Sequence, residues 1–318
     1  GMGGYNQDYD VLPKALRDEA EELSLRFNRA LGYDMNALEF AVKDGKFYGI
    51  DLTNYTPDLD YRSLKDAHFP WAVEKMAAFG RKTGDGDERL RVGAVKVFVD
   101  GGFTGPAAYT KAPYKGMGDY RGTLTMSEDE LRRIVGEAHG AGWQLGIHAI
   151  GDAAIELAVS VLHDTLADAP RPDHRHYLNH FTLLPSAETM DTMAADGIAI
   201  TQQPNFTYTL EGRYTAYLDG ERLERNNALR TPMKHGVFVA LSSDILPIGP
   251  FVGIYAAVTR KGRSGTVYAA DEALTIDEAL RGYTRSGAWL TREEGSKGSI
   301  EPGKLADVIV LSADPTAI

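Results

Sequence analysis

Four side chains stand at the ends of apolar stretches and are of the types that hydrolytic chemistry uses. They are Lys96 within Val95-Lys-Val97, His148 after Trp143-Gln-Leu-Gly-Ile147, His180 after Tyr177-Leu-Asn179, and Asp244 after Val237-Phe-Val-Ala-Leu-Ser-Ser243. Neutral imidazoles and a carboxylate, projected from several strands into one cup, can hold a divalent cation that acidifies water and polarises a carbonyl. There is no cysteine. Disulfides, thiolate ligands and thiol nucleophiles are therefore excluded, leaving His, Asp, Glu and a modified Lys as metal-ligand types. Each of the four also has an ordinary explanation: Lys96 facing solvent by strand alternation, His148 or His180 satisfied within a core, Asp244 capping a helix. Their shared placement at strand ends is the informative feature. His174-Arg-His176 has the spacing of a metal-binding pair, but it follows Arg171-Pro-Asp173 with no apolar run leading in, and is expected at the surface.

The elements that must position these residues alternate in the manner of βα units. Strands are expected over Val92 to Val99, from Trp143 to His148, over Tyr177 to Thr182, Ile198 to Gln202 and Val237 to Leu241. Apolar residues running straight into a polar one mark buried parallel strands, and (β/α) folds keep their chemistry at the carboxyl ends of such strands. Helices are expected over Ser127 to Ala141, where Ser127 and Glu130 have capping-box spacing, and over Asp152 to Leu166, Ser186 to Ala195 and Thr275 to Leu290. The tail from Gly298 to Leu311 reads as a hairpin of a separate small sheet. Loops 102–120 and 205–230 carry Phe103, Tyr109, Tyr114, Phe206, Tyr208 and Tyr214, which suit an apolar or aryl substrate group and suit loop packing equally.

Before the charged, glycine-containing run Arg81 to Arg89 the pattern differs. Leu12 to Leu31 has an amphipathic helical spacing, Ala37 to Val42 and Phe47 to Leu52 flank an Asp44-Gly45 turn signal, and Trp71 to Phe79 reads as a second helix. Glu39, Asp51 and Asn54 place hard oxygen ligands on that hairpin, a set suited to a magnesium nucleotide. The division expected is 5–84, 90–296 and 297–318, the first an α+β segment and the last a β-sandwich remnant. A net charge of -11 over 318 residues argues against nucleic-acid or anionic-membrane partners. No apolar run approaches the roughly 18 residues of a membrane span and no signal peptide is evident, so a cytoplasmic protein is expected. Gly1-Met2-Gly3-Gly4 has the look of a cleavage scar.

Residues 92–318 resemble the C-terminal portion of the amidohydrolase superfamily, in the branch of the YtcJ-like proteins and N-substituted formamide deformylases. The residues that carry the likeness include Val95-Lys-Val-Phe-Val-Asp-Gly101, His148-Ala-Ile-Gly-Asp152, Asn179-His180, Gln203-Pro-Asn205, Ser243-Asp244 and Lys297-Gly-Ser-Ile-Glu-Pro-Gly-Lys-Leu-Ala-Asp307. The resemblance implies an α/β fold, a partial (β/α)8 metal-dependent hydrolase barrel with a small β-sandwich remnant. It further implies Lys96, His148, His180 and Asp244 as ligands of a divalent metal, zinc above others, with Lys96 carboxylated, and Asp244 as general base in cleaving a C–N bond of an amide-like substrate. Two departures stand out: Asn179 where the family has Glu, and no counterpart of the first three barrel strands within 92–318. Residues 8–82 resemble the closing portion of an ATP-grasp ligase domain, on Asn28-Arg-Ala-Leu-Gly-Tyr-Asp34 and Tyr48-Gly-Ile-Asp51-Leu-Thr-Asn54. The chain is thus expected to join two enzyme pieces and to dimerise through open sheet edges. A degenerate, non-catalytic interaction protein and an ATP-dependent carboxylate-amine ligase fragment are the alternative functions.

Overall fold

The computed structural model describes residues 14, 15, 18, 22, 37–43, 46–54, 80, 82–87, 91–244 and 249–316, and the chain divides into two compact units at Gly80 and Arg81. In the first unit, β1 (Ala37–Lys43) and β2 (Lys46–Asn54) form an antiparallel pair. Lys43 stands opposite Lys46, so the chain reverses between these two residues. A register shift near Glu39 leaves Glu39 opposite Asp51 and Ala37 opposite Asn54. Residues 14, 15, 18 and 22 are helical, within the first expected helix. The rest of that helix, the turn residues themselves, the loop at 58–60 and the helix expected over 71–79 lie outside the described residues.

The second unit is built on a parallel sheet of five strands in sequence order: β3 (Val95–Phe98), β4 (Leu145–Ala149), β5 (Tyr177–His180), β6 (Ala199–Gln202) and β7 (Val239–Leu241). Parallel neighbours need crossover connections. These are α1 (Glu128–Gly140), α2 (Asp152–Asp168) and α3 (Ala187–Asp196). Ser127 and Ser186 cap the first and third, accepting from the backbone N–H groups of Glu130 and Thr189. Ile155, Ala158, Val159 and Leu162 of α2 are buried, and so are Leu145, Ile147, Leu178, Ile200 and Val239 of the sheet, which gives the core. Gly151, at the entry to α2, admits no side chain, because a Cβ there would stand 1.9 Å from the Tyr109 carbonyl oxygen.

Between β6 and β7 run short helices α4 (Asn205–Thr209), α5 (Glu211–Tyr217), α6 (Gly220–Glu224) and α7 (Arg230–Lys234), and after β7 come α8 (Pro250–Thr259), α9 (Ile276–Tyr283) and α10 (Arg285–Leu290). The single helix expected from Thr275 to Leu290 is two, because Thr284 leaves helical geometry (φ -120, ψ -81). The tail corrects the expectation more fully: 298–311 carries no strand, and Ile300, Ile309 and Val310 are 92%, 73% and 96% exposed. A two-stranded hairpin needs further strands or a helix against it to be stable in water.

Candidate functional site

Register decides which side chains share a face of the sheet. Phe98, His148, Asn179, Thr201 and Ala240 are in line across five strands, and Lys96, Gly146, Tyr177 and Ala199 form the row beneath. Alternation alone would send His180, which follows Asn179, to the opposite face. It does not go there. His180 and Phe181 adopt left-handed backbone conformations (φ 77 and 52), the strand ends, and the His180 ring lies 4.4 Å from the His148 ring, centroid to centroid. Non-glycine residues pay for that conformation in strain, and such strain concentrates at functional sites.

The hydrogen bonds specify which ring nitrogens remain unshared. His148 Nε2 faces the carbonyl oxygen of Gly101 at 3.4 Å and the Asp100 carboxylate at 3.7 Å, so that nitrogen carries the hydrogen and Nδ1 is left with its lone pair. His180 Nδ1 donates to Gln203 Oε1 at 2.8 Å, leaving Nε2. Burial, then the proximity of His180 and Lys96, holds the His148 pKa well below the ordinary imidazole value. Burial and Lys96 lower that of His180 to about 4, against the opposing pull of Asp244 and Gln203. Both rings are neutral at pH 7, the form that binds metals.

Lys96 donates through Nζ to Asn179 Oδ1 and lies 5.1 Å from the Phe98 ring. Although solvent still reaches it, protein atoms crowding the amine lower its pKa to about 8, and Asp244 offsets part of that shift. Asn179 passes its own amide hydrogen to Thr201 Oγ1 at 2.9 Å. Asp244, at φ 60, follows β7 and Ser243, whose carbonyl accepts from Asn205 Nδ2 at 2.9 Å. Lys96, His148, His180 and Asp244 are thus brought to one end of the sheet, close enough that the charges of Lys96 and Asp244 act on one another and on His180. The chemistry of this donor set fits a divalent cation: two neutral imidazoles with unshared nitrogens beside a carboxylate. Among the described residues no three His, Asp or Glu side chains, these included, are already arranged as a metal-binding cluster.

Asp100 was not singled out by spacing, yet it organises the rim. Only 1% exposed, its carboxyl accepts from the backbone N–H groups of Tyr109, Ile150 and Gly151 at 2.9, 3.0 and 2.8 Å. Burial pushes its pKa up to about 7 while those three donors pull it down. Its signal in the sequence was the Asp-Gly-Gly that closes the first apolar strand. Gln203 and Asn205 stood in the sequence as a polar strand end and as part of the family likeness, with no contact assigned to either.

The His174-Arg-His176 pair is not at the surface. His176 is fully buried, and with His139 it forms a chain in which each ring nitrogen has a partner. Leu145 N–H donates to His176 Nδ1 (3.0 Å), His176 Nε2 meets His139 Nδ1 (2.8 Å), and His139 Nε2 meets the Ala169 carbonyl (2.8 Å). His174 accepts from the His176 N–H (2.9 Å) and donates to the Asp196 carbonyl (2.8 Å). A polar sequence context misled because the Leu145 N–H, the His139 ring and the Asp196 carbonyl that these rings meet come from distant segments. Among the loop aromatics, Phe103, Tyr114, Phe206 and Tyr214 are buried in one cluster, so loop packing is their role. Tyr208 instead lies edge-on to Tyr255, which is 38% exposed. Glu39, Asp51 and Asn54 lie in the first unit, on strands described by their backbone pairing alone.

The sequence profile of the amidohydrolase family matches residues 34–318. The putative amidohydrolase YtcJ of Bacillus subtilis is 31% identical over 330 residues, spanning 95% of this chain and 61% of its own length. The N-substituted formamide deformylase of Arthrobacter pascens is 31% identical over 231 residues, 71% of this chain and 42% of its own. In structure, an uncharacterized metal-dependent hydrolase from Pyrococcus horikoshii superposes with a TM-score of 0.68 at 27% identity, covering 78% of this chain and 50% of that one. The chain therefore spans about half the length of the relatives it matches. These matches give no support to reading the chain as two unrelated enzyme pieces. The family match reaches back through the hairpin to residue 34, and the ATP-grasp resemblance, with its magnesium-nucleotide reading of Glu39, Asp51 and Asn54, finds no support.

Proposed function

The chain belongs to the amidohydrolase family, and from that premise we propose that it takes part in metal-dependent hydrolysis of a C–N bond in an amide-like small molecule. The observation that carries the proposal is the pair of neutral imidazoles, His148 and His180, whose rings stand 4.4 Å apart. Each is hydrogen-bonded at one nitrogen and unshared at the other. His148 and His180 would hold the cation, with Asp244 and a carboxylated Lys96 completing the set, and zinc is the metal this nitrogen and oxygen donor set suits. When bound, such a cation polarises a carbonyl and makes water more acidic.

The protein's own groups supply the rest. Asp244 accepts a proton from water as the water oxygen adds to the carbonyl carbon, and returns it to nitrogen as the C–N bond breaks, releasing a carboxylic acid and an amine. Asn179 anchors Lys96 through its side-chain oxygen. The relative named as an N-substituted formamide deformylase makes N-substituted formamides a natural first substrate set to try. The ligase and non-catalytic readings are not favoured by the family match. Two further readings belong here: a homodimer formed across the edge strands β3 and β7, and a cytoplasmic location, in keeping with the described helices, none of which is long and apolar enough to cross a membrane.

The test is metal content per chain, measured on the purified protein and on a His148→Ala, His180→Ala double variant, beside amine release from N-substituted formamides. Near-stoichiometric zinc that disappears in the variant, with amine release that disappears alongside it, is the expected result. A folded wild-type protein that takes up no divalent metal from excess would sink the proposal.

A further inference from the structure

We infer that Gln203 is a positioning residue: its side-chain amide holds His180 as the Nδ1–H tautomer and ties that ring to the strand end bearing Asp244. The inference rests on the reading of His180 as a cation ligand and adds how that ligand is prepared. Gln203 is 2% exposed, and the orientation of its amide is dictated by its partners. The Nε2 group lies 3.0 Å from the Thr201 carbonyl oxygen and 2.8 Å from Ser242 Oγ. A carbonyl oxygen can only accept, so the NH2 end must face Thr201, and Oε1 is the atom turned to His180 Nδ1 at 2.8 Å. An oxygen acceptor there requires a hydrogen on Nδ1. The neutral ring then keeps its lone pair on Nε2.

The neighbouring amides brace the same contact. Gln202 Nε2 donates to the Phe181 carbonyl at 3.1 Å, and its Oε1 accepts the Gln203 N–H at 2.6 Å. This fixes the left-handed step at His180 and Phe181 that turns the ring inward. On the other side Gln203 grips Ser242, and Asn205 grips the Ser243 carbonyl, one residue before Asp244. The run Gln202-Gln203-Pro204-Asn205 therefore links the His180 turn to the Asp244 turn through side-chain amides. Partners of this kind, holding the second nitrogen of a ligating histidine, fix its tautomer and ring orientation and strengthen metal binding.

The experiment is 15N NMR of histidine-labelled protein over the full chain, stripped of metal, with the His180 signals identified by their loss in His180→Gln. Expected is a pyrrole-type Nδ1 and a pyridine-type Nε2 for His180. In Gln203→Leu the ring should revert towards the Nε2–H form that predominates for free histidine, and zinc affinity, measured against a competing chelator, should fall by about 10- to 100-fold. Gln203→Glu keeps an oxygen acceptor at the same place and should restore the Nδ1–H tautomer. An Nε2–H ring in the wild-type protein overturns the inference, as does a Gln203→Leu variant with tautomer and zinc affinity unchanged. Should Gln203→Leu fail to fold, the wild-type spectrum and Gln203→Glu decide. Wild-type protein that shows the expected tautomer but takes up no zinc upholds the role of Gln203 while removing the hydrolase reading on which its purpose rests.

Discussion

At His180 a single backbone angle settles the chemistry. With φ at 77 the ring meets His148; in an extended conformation it would lie on the far side of β5 among the packed helices. Asp244 is likewise held at φ 60. In its proposed role of general base, Asp244 would have to be ionised and correctly aimed, and replacing it by Asn preserves shape while removing the proton acceptor. Asp244→Asn is expected to lower kcat for amide hydrolysis by roughly 10²- to 10⁴-fold with a much smaller change in KM, in steady-state assays. Comparable activity in the variant would remove Asp244 from that role. Gly151 gives a stability counterpart. A methyl group there would overlap the Tyr109 carbonyl, displacing the loop that Asp100 also holds. Gly151→Ala is expected to cost about 1–3 kcal/mol in urea unfolding.

At the scale of elements, the lower ends of α1, β4, β5 and α3 are joined by neutral histidines. Burial, followed by neighbouring His174, Arg171, His139 and Arg292, lowers the His176 pKa to about 2, and burial likewise lowers His139 and His174. Protonating His176 at Nδ1 would turn a hydrogen towards the Leu145 N–H and break the chain. In the unfolded chain these rings titrate near roughly 6.5. The sign follows from proton counts: below that pH the unfolded state binds more protons, so stability is whole above it and is lost as pH falls. For His176 the loss runs from roughly 6.5 down to about 2, at a limiting slope of about 1.4 kcal/mol per pH unit. Urea unfolding at pH 7.5 and 5.0 should show this loss, and His176→Gln should flatten it. A wild-type stability that is level across that interval would mean the rings are not held neutral.

For the whole molecule, the five-stranded sheet of the second unit, among the described residues, ends in β3 on one side and β7 on the other. Edge strands invite pairing with another chain. Light scattering is expected to give a dimer mass, and a monomer across the accessible concentration range would refute the edge-pairing proposal. A cation bound by the folded state alone adds stability by mass action. Chelator treatment is therefore expected to lower the thermal midpoint of wild-type protein and to leave that of the His148→Ala, His180→Ala variant in place, by calorimetry. Equal midpoints with and without chelator in the wild type would mean that no cation is linked to folding.

The parallel strands, their order along the chain and the helices α1, α2 and α3 could be read from sequence, because apolar runs, hydrophobic spacing and serine caps are local signals. Lys96, His148, His180 and Asp244 were likewise visible as candidates, since Lys96 interrupts an apolar strand and each of the other three follows one. What could not be read locally is everything that depends on contacts between distant segments. The burial of His174 and His176 depends on Leu145, Ala169, His139 and Asp196, and the Asp100 carboxyl finds its donors about fifty residues on as well as nearby. The tail residues 298–311, apolar and strand-like in isolation, form no strand among the described residues, because a strand exists only with a neighbouring strand to pair with. Residue type and period determined which groups are available for chemistry; only the tertiary structure decided which nitrogen of each histidine is free, because tautomer and orientation are set by partners that the chain brings in from elsewhere.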